Sequence, residues 1–72
     1  MKTKDILGKR VWVNVKCFRA NNEITEILSG EGDFGETSVK DADYKISFRD
    51  LQGKHYYATF YCKERDIKTI VP

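Results

Sequence analysis

From Arg10 to Phe18 the chain reads Arg-Val-Trp-Val-Asn-Val-Lys-Cys-Phe, and no other stretch narrows its folding options as far. Val11, Val13, Val15 and Cys17 share one parity, while Trp12, Asn14, Lys16 and Phe18 share the other. A strand turns successive side chains to opposite faces, so this alternation predicts a half-buried strand with its valines inward. The β-branched valines reinforce it, because they pack well on a pleated surface and lose rotamer freedom in a helix. A lone hairpin is not stable in water, so the rest of the chain must supply more strands.

Ala20-Asn21-Asn22 is a turn signal, since Asn tolerates the left-handed backbone that turns require. A second strand is expected over Glu23–Ser29, with Ile24, Ile27 and Leu28 as its apolar positions. The adjacent Ile27 and Leu28 break its alternation, which predicts a bulge or a strand end there. A helix is the alternative for this segment, given Glu23, Glu26 and Leu28. Residues 30–43 read as a long acidic loop punctuated by Gly30, Gly32 and Gly35, with Phe34 at its tip. Tyr44–Arg49 alternates again, with Tyr44, Ile46 and Phe48 on one face. Asp50-Leu51-Gln52-Gly53 is a tight turn leading into a partner strand over Lys54–Cys62. In that strand Tyr56, Ala58, Phe60 and Cys62 are expected inside, and His55, Tyr57, Thr59 and Tyr61 outside. Lys63–Asp66 reads as one polar 3₁₀ turn, and Ile67–Val71 as a short last strand.

These elements predict a single all-β domain over residues 1–72, a small barrel of about five antiparallel strands with a 3₁₀ turn before the last. Leu7-Gly8-Lys9-Arg10-Val11 entering the first strand and Lys63-Glu64-Arg65-Asp66-Ile67 before the last carry a resemblance. In element order the chain resembles the SH3-like small barrels, in the stand-alone form found in bacterial and phage proteins. The resemblance implies the fold and not an activity, because that fold hosts many functions. Peptide-binding SH3 domains carry an Ala-Leu-Tyr-Asp-Tyr segment and a Trp-Trp pair; neither has a counterpart here, so proline-rich ligands are not expected. An OB-fold is the architectural alternative, disfavoured because no helix is evident between the third and fourth strands.

A 72-residue chain buries only about 60% of the surface that it exposes when unfolded, so the core is thin. No apolar run is long enough to span a bilayer. The basic N-terminus is followed only by Ile6 and Leu7, too short for a secretory signal, so a cytoplasmic location is expected. Cys17 and Cys62 are then expected as free buried thiols rather than a disulfide. With no Cys-x-x-Cys pair and one histidine, His55, a structural zinc site is not expected.

Enzymatic chemistry finds little footing, and no cofactor is expected. His55 stands alone, without a triad context, and reads as an exposed strand residue. The Gly30–Gly35 run lacks a following helix and carries acids that repel phosphate. Glu31, Asp33, Glu36, Asp41 and Asp43 do not follow the alternate spacing of a calcium loop, so they read as a solvated acidic segment.

Charge is distributed unevenly: residues 1–20 sum to +5, residues 21–43 to −6, and residues 44–72 to +3. This predicts an acidic loop opposed to basic strands. A protein-interaction module, regulatory or inhibitory, is expected to use Glu31, Asp33, Phe34, Glu36 and Tyr57. The alternative is a nucleic-acid binder using Lys9, Arg10, Trp12, Lys16, Lys45, Arg49 and Lys54 as a basic and aromatic surface. The pI of about 8.6 is below that of most dedicated nucleic-acid modules. The partner's identity, and the choice between monomer and homodimer, do not follow from the residues.

Overall fold

In the structure, a computed structural model, the backbone is described for residues 6–20, 24–51 and 54–71, and the side chains for the same residues except 54–58 and 69–71. Four strands are present: β1 (Arg10–Phe18), β2 (Thr25–Gly35), β3 (Tyr44–Leu51) and β4 (Lys54–Val71). Each pairs antiparallel with the next, and β4 pairs back onto β1, closing the sheet into a small barrel. Closure pairs the first strand with the last, which leaves neither as a full-length edge. Among the described residues no helix is long and apolar enough to cross a membrane.

The alternation of β1 is realised as expected: Val11, Val13, Val15 and Cys17 are buried and Trp12 and Lys16 are exposed. Tyr44, Ile46 and Phe48 of β3 enter the same core, as do Phe60 and Cys62 of β4. Two edge-to-face pairs set the packing, Phe48 with Phe60 at 5.8 Å and Phe34 with Tyr44 at 6.0 Å between ring centroids. Such pairs add about 0.5–1.5 kcal/mol beyond the area that they bury. Ile6 closes one part of the core from the lead-in, only 2% exposed. It is held there by a turn in which the Lys9 amide donates to the Ile6 carbonyl at 2.9 Å, with Gly8 at φ +77°. That φ is in the left-handed region, which glycine enters without a Cβ penalty.

Three expectations are corrected. The second strand does not stop at Ser29, and residues 30–35 are not loop; β2 runs through to Gly35. Its inward positions are Leu28, Gly30, Gly32 and Phe34, all buried. The two glycines are there because the neighbouring strand presses close. A Cβ on Gly30 would collide with the Asp50 carbonyl, and one on Gly32 would lie 2.8 Å from Ile46 Cγ1. Second, the β1–β2 register is continuous through Ile27 and Leu28, and the irregularity falls instead between Glu31 and Gly32 against β3. The imperfect alternation arises because Ile27 faces outward, 67% exposed. Third, residues 63–66 are extended rather than a 3₁₀ turn, so β4 is one strand of 18 residues. Opposite β1 they form an outward irregularity: Cys17 pairs with Cys62 and Val15 with Ile67, so Lys16 alone faces all four residues 63–66. Asp50 and Leu51, expected in a tight turn with Gln52 and Gly53, still belong to β3, and residues 52–53 lie outside the described ones.

Candidate functional site

The acidic segment and the basic strands are not opposed faces. On the outer surface Arg10 is the register partner of Asp33, and Trp12 of Glu31. Arg10 Nε lies 3.3 Å from Asp33 Oδ1 and 3.6 Å from Glu31 Oε1, and Arg49 Nε lies 4.0 Å from Asp33 Oδ2. The four side chains are each about half exposed, so the cluster contributes little stability. Its effect is on charge: two of the expected acids and two of the expected cations neutralise one another. Phe34, expected at a loop tip, is 2% exposed and belongs to the core. Glu36 is exposed beyond the end of β2. The side chains of Tyr57, Lys54 and His55 lie outside the described residues. Lys9 and Lys45 are exposed, and Trp12 is 41% exposed beside Glu31.

A different place gathers cations that make no ion pair among the described residues. At the end of the barrel where β1 finishes, an open cleft of about 610 Å³ is lined by Lys16, Phe18, Ala20, Thr25, Val39, Lys40, Asp41, Lys63, Arg65 and Asp66. Of the sequence-derived site candidates whose side chains are described, only Lys16 is in it. None of Lys16, Lys40, Lys63 and Arg65 is ion-paired to a carboxylate among the described residues, in contrast to Arg10 and Arg49. One lining side chain is aromatic: Phe18 is half-buried and its ring lies 6.3 Å from that of Tyr61.

The walls are set by the irregularities that composition hides. The excess of β4 residues opposite Lys16 pushes Lys63–Asp66 outward on one side. Asp43 holds that segment at both ends of its own residue, its amide donating to the Cys62 carbonyl at 2.9 Å and its Oδ2 accepting from the Glu64 amide at 2.9 Å. On the other side residues 37–42 fold into a local turn. There the Val39 amide donates to Thr37 Oγ1 at 3.1 Å, the Ala42 amide donates to the Val39 carbonyl at 3.2 Å, and Asp41 has φ 65°. Such side-chain-to-backbone bonds are how Thr and Asp shape turns. They project Lys40 and Asp41 toward the cleft.

Behind the cleft lie Cys17 and Cys62, register partners across β1 and β4, both free and buried. Burial pushes each thiol up to about 12, reinforced by Glu26 at Cys17, and by Cys17, Asp43 and Asp66 at Cys62. Thiols held protonated in this way are poor nucleophiles. Among the described residues no group of three His, Cys, Asp or Glu side chains is placed to hold a metal ion.

Comparison with protein-family models, with curated proteins and with solved structures found no match. The functional reading therefore rests on the chemistry of the cleft.

Proposed function

We propose that this chain is a small non-catalytic protein-interaction module that receives an acidic segment of its partner in the cleft at the end of β1. One observation carries the reading: four cations without carboxylate partners among the described residues converge on a concave surface that also holds the Phe18 ring. Unpaired cations steer an oppositely charged partner and suppress like-charged ones. Asp41 and Asp66 share the lining, and this mixed pattern suits a protein surface better than the uniform negative charge of a phosphate backbone. The acidic residues Glu31 and Asp33, tied to Arg10 and Arg49, have no part in this reading. In the same reading the barrel is SH3-like, with the two halves of β4 on either side of residues 63–66 serving as its fourth and fifth strands.

The test is capture of partner protein from nuclease-treated extract by the immobilised domain, compared with the double reversal Lys63→Glu, Arg65→Glu. Both side chains are on an outward irregularity, so far-UV circular dichroism should be unchanged. Capture should fall by about tenfold or more, the effect of roughly 1.4 kcal/mol, and salt should mimic it. Neutralising Glu31, Asp33 and Glu36 together should leave capture intact. Undiminished capture by the double reversal would reject the cleft. A second reading is favoured by the Phe18 ring lying among cations, an arrangement that also stacks bases. It is selected if the wild-type domain binds oligonucleotides with steep salt dependence and retains no protein after nuclease treatment.

A further inference from the structure

We infer that Cys17 and Cys62 form a cross-strand disulfide that locks β4 onto β1 when the chain meets a small-molecule disulfide such as oxidised glutathione. The two are direct register partners in the antiparallel β1–β4 pair. Both side chains turn inward, each 0% exposed, so the two sulfurs are on the same face of the sheet. Opposed Cα atoms in such a pair are about 4.5–5.5 Å apart, inside the range of about 4.4–6.8 Å that a disulfide spans. Both thiols are free in the structure, which is therefore the reduced state. The chain has two cysteines, so neither thiol has another partner within it.

The same placement sets the kinetics. Each thiol is kept protonated by burial first, and at Cys62 next by Cys17 itself, a second sign that the two sulfurs are neighbours. A protonated, enclosed thiol is a poor nucleophile, so oxidation of the folded chain waits for the seam to open locally. The seam has a weak place there. The pairs of Cys17 with Cys62 and Phe18 with Tyr61 are separated from the next pair, Val15 with Ile67, by the irregularity at residues 63–66. A short stretch of ladder opens at lower cost than the whole fold.

Once exposed, one protein thiolate attacks the oxidant's S–S bond, which breaks and releases one small thiolate. The second protein thiolate then attacks the protein-side sulfur of the mixed disulfide and releases the other. The two cysteine sulfurs are oxidised, the oxidant's two sulfurs are reduced, and the two thiol protons end on the released small thiols.

The bond makes covalent the one seam that joins the first strand to the last. It constrains the long loop between Cys17 and Cys62 in the unfolded chain, and closing long loops gains most. It also ties the two walls of the cleft together, since Lys16 and Phe18 flank Cys17 and Lys63 follows Cys62. The bond forms whatever the cleft binds.

Reduced full-length chain, unfolded in urea and refolded in oxidised glutathione, should give one monomeric species lighter by two hydrogens, with no glutathione attached and no free thiol after denaturation. Its far-UV spectrum should match that of chain refolded in reduced glutathione. Its thermal midpoint should be higher by about 10 °C or more. Folded reduced chain should reach the same species more slowly, and faster as urea is raised below the unfolding midpoint. A refolded chain that keeps both thiols or ends with glutathione attached would overturn the lock. So would a disulfide form whose thermal midpoint equals or falls below that of the reduced chain, since the fold would then not accommodate the bond.

Discussion

Gly30 and Gly32 face into the barrel where every neighbouring strand places a large apolar residue, and the space that they leave is already occupied. The Asp50 backbone carbonyl and the Ile46 side chain fill it. Gly30→Ala and Gly32→Ala should each lower the urea midpoint of unfolding, through a stability loss of about 1–3 kcal/mol, the usual cost of overpacking a core. Gly30→Ala should be the worse of the two, because the obstructing atom is main chain and cannot rotate away. Gly35→Ala is the control: its nearest neighbour is Lys45 Cε at 3.6 Å, ordinary contact with a flexible chain, and little change is expected.

At the scale of the element, β1 and β3 were legible from period-two alternation of large apolar residues, and the inward sets predicted for them are the ones observed. β2 was not, because its inward face reads Leu28, Gly30, Gly32, Phe34. Glycine contributes nothing to a hydrophobic pattern, and the acids between complete the look of a loop. A signal was nevertheless present: counting glycine as inward restores strict alternation from Leu28 to Phe34. The cleft was less legible still. Lys40, Lys63 and Arg65 are distant in sequence from Lys16, and their approach depends on an uneven β1–β4 register that no local pattern encodes. The misreading of Phe34 has a measurable counterpart. Phe34→Ala should cost about 3–5 kcal/mol of stability, as for other buried Phe truncations, and should not change partner affinity in the fraction that stays folded. Trp12→Ala, at a position 41% exposed, should cost markedly less in the same denaturation experiment.

For the whole molecule the two buried thiols tie global stability to pH. In the unfolded chain each ionises near 9.0, and in the fold near 12. The folded state therefore disfavours the thiolate. The thiols' contribution to stability is complete below pH 9, and is lost as pH rises from about 9 toward 12. The unfolding midpoint should fall across that window. Part of the fall should disappear in a Cys17→Ala, Cys62→Ala variant compared over the same pH range, even though that variant starts from lower stability. A wild type and variant with parallel pH profiles would argue against burial as the cause.

The ring that closes with Trp12 opposite Val71 also orders events in time. During synthesis β1 emerges first, and β2 can join it as a local hairpin, but the other side of β1 waits for almost the entire remaining chain. Contacts of such long sequence separation form late, because the loop entropy must be met before they repay it. Until then the Val13 and Val15 strand is open along one edge. The nascent protein is thus most prone to mispairing just before its last strand arrives, and truncation within β4 would make that transient state permanent.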